Sequence, residues 1–231
     1  MRKLAWSLCL LALALGISSL PAMAQTTFFS DLGTGSNVYN CCSGWTISGT
    51  GTLGTSFTAA NEFTAGATGS VSQIDIGVGI VEGTNSFFAA LYTASGNEPG
   101  TEIAQWNNLS SNETFGQCCG LVSVTGISGV ELTAGTSYFL ILGPTNLSAT
   151  TWEAWNMNSQ GVNGLDLYAT SGCQNGSGNG CQWNSNGTGN ALGAFDVIGS
   201  TGQTVPEPSS LLLLGTGLVG AFGSIRRKLM K

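Results

Sequence analysis

The chain has 231 residues, of which 8% are charged, and its formal net charge at pH 7 is −6. All six cationic residues lie in the two terminal segments: Arg2, Lys3, Arg226, Arg227, Lys228 and Lys231. Between Gln25 and Thr204 there is no lysine, arginine or histidine, whereas this stretch holds eleven of the twelve acidic residues. Nucleic acid binding needs cations that neutralise phosphates, and it is therefore excluded for this stretch. Nucleophilic catalysis with a histidine base is excluded as well.

The first 24 residues are predicted to be a secretory signal peptide. Arg2 and Lys3 form its positive start, and residues 8–15 form a short apolar run. Ala22 and Ala24 supply the small residues that precede a cleavage site. Signal peptidase is therefore expected to release a chain that begins at Gln25.

The body, residues 25–204, is predicted to be one extracellular domain of short strands. Residues 74–80 alternate between aliphatic residues and small or polar ones, which is the pattern of a half-buried strand. The continuous apolar runs at 87–92 and 138–142 are typical of central strands. Weaker strand patterns occur at 55–59, 101–106, 121–125, 151–155, 165–169 and 191–198. Many short strands separated by turn residues favour an all-β fold, an antiparallel β-sandwich of the jelly-roll kind.

The cysteines of the body are expected to form disulfides, because an even number of cysteines in an exported chain is typical of them. They are Cys41, Cys42, Cys118, Cys119, Cys173 and Cys181. The last two bracket a short loop and are expected to pair with each other. Adjacent cysteines rarely bridge each other, so the prediction joins the 41/42 pair to the 118/119 pair. Without histidine or Cys-x-x-Cys spacing, no metal site is predicted from these residues.

Carboxylates are the general acid–base candidates of the body, and Glu153 is the most suggestive because Trp152 and Trp155 flank it. Exposed aromatic rings stack on sugar faces. The body has five tryptophans: Trp45, Trp106, Trp152, Trp155 and Trp183. Of these, Trp152 and Trp155 are the candidates for sugar contact. A secreted glycoside hydrolase that uses Glu153 is one alternative to a binding role. A protein-binding adhesin module is another.

A Ca²⁺ site is the only cofactor that the composition of the body suggests. Asn156, Asn158 and Asp166 offer the oxygen atoms that this cation prefers. Their spacing differs from the Asp-x-Asp-x-Asp-Gly pattern of calcium-binding loops, and the expectation is otherwise that no cofactor is bound.

The last segment, residues 205–231, has three parts in a fixed order. The first is the run Val205, Pro206, Glu207, Pro208 and Ser209. An apolar stretch then continues to residue 225 and is just long enough to cross a bilayer as a helix. The third is the basic cluster Arg226, Arg227 and Lys228. This cluster is expected to stay cytoplasmic by the positive-inside rule, which leaves the body outside. A plain membrane anchor with a chance Pro-Glu-Pro is the alternative.

These three parts resemble the PEP-CTERM sorting signal of Gram-negative bacteria. The resemblance implies that exosortase, a membrane-embedded protease of transpeptidase type, processes the chain near the Pro-Glu-Pro motif. It also implies a link to extracellular polysaccharide. Residues 87–100 and 132–140 resemble extracellular β-sandwich modules of the choice-of-anchor type, found ahead of bacterial surface anchors, and this second resemblance concerns the fold alone.

The sequence therefore predicts an exported, non-enzymatic, disulfide-bonded protein of the cell envelope or of the exopolysaccharide (biofilm) matrix. Its role would be structural or carbohydrate-contacting. The C-terminal helix would anchor it in the inner membrane, transiently or stably. The predicted partners are signal peptidase and exosortase as processing enzymes, extracellular polysaccharide and the membrane, with no nucleic acid.

Overall fold

The computed structural model describes residues 23–171, 173–174 and 177–204, with side chains for the part between Gln25 and Gly202. The contacts divide the chain into Gln25–Thr201 and a second unit made of Met1–Ala24 and Gly202–Lys231. The fold described below is that of the first unit. The signal peptide up to residue 22, the sorting tail, its apolar stretch and its basic cluster all lie outside the described residues.

Strands make up most of the described chain, together with one short helix, α1 (Thr50–Leu53). The strands are β1 (Met23–Ser30), β2 (Asn40–Ser48), β3 (Thr58–Thr64), β4 (Gly69–Ile76), β5 (Val78–Glu82), β6 (Phe87–Ser95), β7 (Glu98–Leu109), β8 (Glu113–Thr114), β9 (Val122–Thr125), β10 (Glu131–Leu132), β11 (Ser137–Pro144), β12 (Trp152–Met157), β13 (Asn163–Ala169), β14 (Asn184–Ala191) and β15 (Phe195–Thr204). Within these described segments, no helix is long and apolar enough to cross a membrane.

The strands form three sheets that are almost entirely antiparallel. The largest sheet has six strands in the order β14-β13-β3-β11-β6-β7. A second sheet has the order β1-β15-β4-β10, with β9 also paired to β4, and a third has the order β2-β12-β5-β8. The exception is the short parallel pairing of β5 with β8. The prediction of an all-β, antiparallel fold is confirmed.

Gly77 joins the second and third sheets, because it is the only residue between β4 and β5. Its N–H donates to the carbonyl oxygen of Ala194 at 2.9 Å, and its own carbonyl accepts from the N–H of Asn156 at 2.8 Å. A Cβ atom at this position would lie 2.8 Å from the ring of Tyr39. Glycine is therefore required where the chain passes from one sheet to the other.

The main hydrophobic core lies between the six-stranded sheet and the two smaller sheets, which gives a sandwich-like arrangement. Leu91 and Leu140 of the six-stranded sheet belong to the same buried cluster as Ile74, Phe195 and Trp155 of the smaller sheets. The ring of Phe195 lies 5.7 Å from that of Trp155 and 5.5 Å from that of Phe63. Burial of such side chains supplies most of the driving force for folding.

A second buried cluster covers the opposite face of the six-stranded sheet. It contains Phe139 and Ile141, which alternate along β11 with the core residue Leu140. Both faces of β11 and of its neighbour β6 are thus buried, which explains why the apolar runs predicted as central strands are continuous. The two runs are central strands, as predicted.

The Cys173–Cys181 disulfide is present, as predicted. It closes a segment that lies over the second cluster, because the hydroxyl of Tyr92 donates to Oδ1 of Asn179 at 3.0 Å. The bridge therefore stabilises a cover over the outer face of the six-stranded sheet.

The predicted pairing of Cys41 and Cys42 with Cys118 and Cys119 is wrong in this structure. Cys118 bridges its own neighbour Cys119, while Cys41 and Cys42 are unbridged thiols. The sulfur atoms of Cys41 and Cys42 lie 3.4 Å apart and are not bonded to each other.

The position of Leu140 in the core gives a direct test of the sandwich arrangement. Replacing Leu140, which has no exposed surface, by alanine is expected to lower the free energy of unfolding by about 2–5 kcal/mol. The matched substitution Leu53→Ala, at a residue that is 38% exposed, is expected to change it by less than about 0.5 kcal/mol. Urea unfolding of both variants checks this, and equal losses would contradict the arrangement.

Candidate functional site

The two tryptophans on β12 that were predicted to contact sugar differ in how much of their surface is exposed. Trp155 has no exposed surface, and its Nε1–H donates to the carbonyl oxygen of Ala194 at 3.2 Å. Its ring is part of the core and has no face for a sugar, so the prediction for Trp155 is wrong. Trp152 is half-buried and keeps part of its surface exposed.

Glu153 is also fully buried, because it lies on the same strand as Trp155 and two residues before it. Neither carboxyl oxygen forms a hydrogen bond within the described residues. Burial is the chief cause that raises the pKa of Glu153, to about 8. A substrate cannot reach this carboxyl group, so the hydrolase alternative loses the residue on which it was based.

Two of the three residues proposed for Ca²⁺ use their side-chain oxygen atoms in other ways, whereas Oδ1 of Asn156 is buried and has no hydrogen-bond partner among the described residues. Oδ1 of Asn158 accepts from the backbone N–H groups of Gln160 at 3.1 Å and of Val162 at 3.0 Å. Both oxygens of Asp166 accept hydrogen bonds from asparagine side chains. Among the described residues, no group of three or more histidine, cysteine or acidic side chains is arranged to hold a metal ion.

A cleft opens between β2 and the β13–β14 edge of the six-stranded sheet, and we call it the β2–β13 cleft. Its volume is about 320 Å³, and its lining residues are Trp45, Thr46, Phe57, Ala59, Asp166, Leu167, Tyr168 and Asn186. Ligand pockets usually measure about 300–1,000 Å³, so the cleft could hold a small ligand or one unit of a polymer.

Trp45 forms one wall of the cleft and is held firmly in place. Its Nε1–H donates to the carbonyl oxygen of Ala191 at 3.0 Å, and part of its ring packs against the main core. The ring is half-buried, as are Phe57 and Tyr168 beside it. Fixed aromatic rings of this kind offer a flat apolar surface to a ligand.

Asp166 lies at the base of the cleft, in a network of amide groups. Its Oδ1 accepts from Nδ2 of Asn61 at 2.6 Å, and its Oδ2 accepts from Nδ2 of Asn186. Oδ1 of Asn61 in turn accepts from the N–H of Gly193 at 2.6 Å. Burial raises the pKa of Asp166 to about 6, and the bonds from Asn186 and Asn61 oppose that rise. The network holds the side chain of Asn186 in a fixed orientation.

The backbone of β14 brings Asn186 to Asp166. The pairing of β13 with β14 is irregular on both sides of Asp166, whose partner is Gly187. Gly187 has a φ of 102°, a conformation that residues with a Cβ rarely adopt. Bulges of this kind reorient side chains at sheet edges, and here the reoriented side chain is Asn186.

The cleft combines an aromatic wall with an exposed amide. One N–H of Asn186 is used by Asp166, and the second N–H and the carbonyl oxygen remain for a ligand. A ligand would reach Asp166 only through Asn186, because Asp166 itself has no exposed surface. The cleft therefore has the chemistry of a binding site for a neutral molecule rich in hydroxyl groups.

Some of the cleft residues were predicted as candidates from the sequence, but the sequence did not indicate that they form one site. Trp45 stood among five tryptophans and Asp166 among the Ca²⁺ candidates, whereas Asn186 was not predicted as a site residue. β14 consists of glycine and polar residues only up to Ala191, so it carries no strand pattern that could have placed Asn186 opposite Asp166.

Residues 204–228 match the PEP-CTERM protein-sorting motif. The match confirms the resemblance seen in the tail and does not extend to the body. No curated protein and no solved structure matches the chain.

The buried carboxyl group of Glu153 predicts a stability that depends on pH. Its pKa is raised from 4.5 to about 8, so the unfolded chain gives up this proton at a lower pH than the folded chain. Its contribution is fully present below about pH 4.5 and is lost as the pH rises toward 8. Glu153→Gln is expected to reduce the fall of the unfolding free energy between pH 5 and pH 8, by about 1.4 kcal/mol for each unit of pKa shift that it removes. Part of the fall remains, because the pKa of Asp31 is also raised to about 8.

Urea unfolding at several pH values measures this slope. The control is Glu98→Gln, at the exposed first residue of β7, which is expected to leave the slope unchanged. The burial of Glu153 would be contradicted by equal slopes in the wild-type protein and in Glu153→Gln.

Proposed function

We propose that the body of this chain is a non-catalytic matrix component that binds neutral polysaccharide through the β2–β13 cleft. The PEP-CTERM sorting motif supports export to the cell envelope or surface as a target of exosortase. Signal peptidase would release the body at Gln25. The apolar stretch of the tail would hold the chain in the inner membrane until exosortase acts near Pro208. The body would then serve in the exopolysaccharide layer.

The observation that carries this proposal is the pairing of Trp45 with Asn186 across the cleft. Sugars present C–H faces that stack on aromatic rings and hydroxyl groups that bond to amides. Both protein groups are held by the fold, Trp45 through Ala191 and Asn186 through Asp166. Groups that are fixed before binding lose little conformational freedom when a ligand arrives.

The charge of the body favours a neutral ligand over an acidic one. No lysine, arginine or histidine occurs between Gln25 and Thr204, so an anionic sugar would meet no cation there. It would meet acidic residues instead, and repulsion between like charges would weaken binding. A neutral polymer has no such penalty.

Binding to polysaccharide from the native host tests the proposal. The host's extracellular polysaccharide is separated into neutral and acidic fractions, and the affinity of the mature protein for each is measured. The wild-type protein is expected to bind the neutral fraction. Trp45→Ala is expected to weaken binding about tenfold or more and Asn186→Ala about five- to tenfold, since each tenfold change corresponds to about 1.4 kcal/mol.

The matched control is Asn97→Ala, at an exposed asparagine in the β6–β7 turn, which is expected to bind like the wild type. Thermal unfolding of each variant verifies that it is folded. Retained binding in folded Asn186→Ala and Trp45→Ala would overturn the assignment of the cleft. Capture of a protein that survives glycosidase treatment of the matrix, without polysaccharide binding, would favour an adhesin module instead.

A further inference from the structure

The cysteine pairs Cys41–Cys42 and Cys118–Cys119 lie on one surface patch, although they are far apart in sequence. The N–H of Gly116 donates to the carbonyl oxygen of Cys41 at 2.9 Å. Two residues further on, the sulfur of Cys118 lies 3.9 Å from the carbonyl oxygen of Tyr39. The hydroxyl of Tyr39 donates to the carbonyl oxygen of Gly120 at 3.1 Å. The segment before β9 therefore runs beside the beginning of β2.

The two pairs differ in oxidation state and are both accessible. Cys118 and Cys119 form a disulfide, whereas Cys41 and Cys42 are thiols whose sulfur atoms are 3.4 Å apart. Cys42 and Cys118 are exposed, and Cys41 and Cys119 are half-buried. A dithiol and an accessible disulfide side by side are the two reactants of thiol–disulfide exchange.

The contacts of the two thiols suggest which of them attacks. The hydrogen bond to Cys41 is the largest cause that raises the pKa of Cys42, so Cys42 holds its proton more firmly than a free thiol does. Cys41 is also the residue whose backbone contacts the 116–120 segment.

We propose that the four cysteines form one exchange site, in which the Cys41 thiolate attacks the sulfur of Cys118. A bond forms between the sulfurs of Cys41 and Cys118, and the bond between those of Cys118 and Cys119 breaks. Cys119 leaves as a thiolate and takes up the proton that Cys41 has released. One disulfide is consumed and one is formed, so no external oxidant or reductant is needed.

The product would tie β2 to the segment that precedes β9. In the starting state the bridge joins the neighbouring residues Cys118 and Cys119, so it does not link two different elements of the fold. In the product state it spans residues 41 to 118, and a bridge that closes so long a loop restricts the unfolded chain much more. The exchange would convert an exported chain into a more firmly closed one, independently of what the β2–β13 cleft binds.

Peptide mapping of the exported protein tests this proposal. The body contains no lysine or arginine, so cleavage after glutamate is used. It places Cys41 and Cys42 on the peptide that ends at Glu62, and Cys118 and Cys119 on the peptide from residue 114 to Glu131. The protein is incubated at pH 8.5 for minutes to hours, quenched in acid, alkylated and digested without reduction. The expected result is a linked pair of these two peptides, with Cys42 and Cys119 alkylated.

Two serine variants locate the attacking sulfur. Cys41→Ser is expected to abolish the linked peptides, whereas Cys42→Ser, the matched control at the neighbouring position, is expected to retain them. Separate peptides after incubation, with Cys41 and Cys42 alkylated or bridged to each other, would overturn the proposal. Linked peptides in Cys41→Ser would overturn the assignment of Cys41, and linkage found only in covalent dimers would overturn exchange within one chain.

Discussion

The body contains no cationic side chain, and this absence decides how its buried acidic groups are accommodated. No buried carboxyl group between Gln25 and Thr204 can therefore form an ion pair with another side chain of the same stretch. Each is accommodated in another way. Asp166 accepts two amide hydrogen bonds, Asp31 accepts from the N–H of Phe195 at 2.7 Å, and Glu153 has no partner and keeps its proton. Burial accordingly raises the pKa of Asp31 and of Glu153 to about 8, so both groups are protonated over much of the acidic and neutral range.

The same constraint shapes the β2–β13 cleft. A carboxylate beside an arginine would make a charged site, but here Asp166 meets the side chains of Asn61 and Asn186 and acts as an internal support. What the cleft presents outward is the ring of Trp45 and the amide of Asn186, both neutral. Recognition by neutral groups is insensitive to the salt content of the surroundings, unlike recognition by charge pairs. This property suits a protein that works outside the cell among polymers.

The all-β fold class and the sorting motif could be predicted from the sequence, because both depend on local patterns. The runs at 87–92 and 138–142 are continuous since both faces of β6 and β11 are buried, and the tail is a linear motif. The site was less predictable. Trp155 and Trp45 are cross-strand partners and lie on the same face of their sheet. Trp155 is buried on β12, between two other strands, whereas Trp45 lies on the edge strand β2 and stays partly exposed at the cleft. This difference depends on strand order, which the local sequence pattern does not contain. β14 lacks any hydrophobic alternation, so the position of Asn186 follows only from its pairing with β13.

Processing at both ends, as proposed above, would leave this cation-free body as the working protein. The intact mass of the protein recovered from its native host, measured with and without reduction, tests this. The expected mass starts at Gln25 and ends near Pro208, so that the mature protein contains none of the six lysines and arginines of the chain. A mass that runs through Lys231 would show that the tail is retained as a simple anchor, and would contradict processing by exosortase.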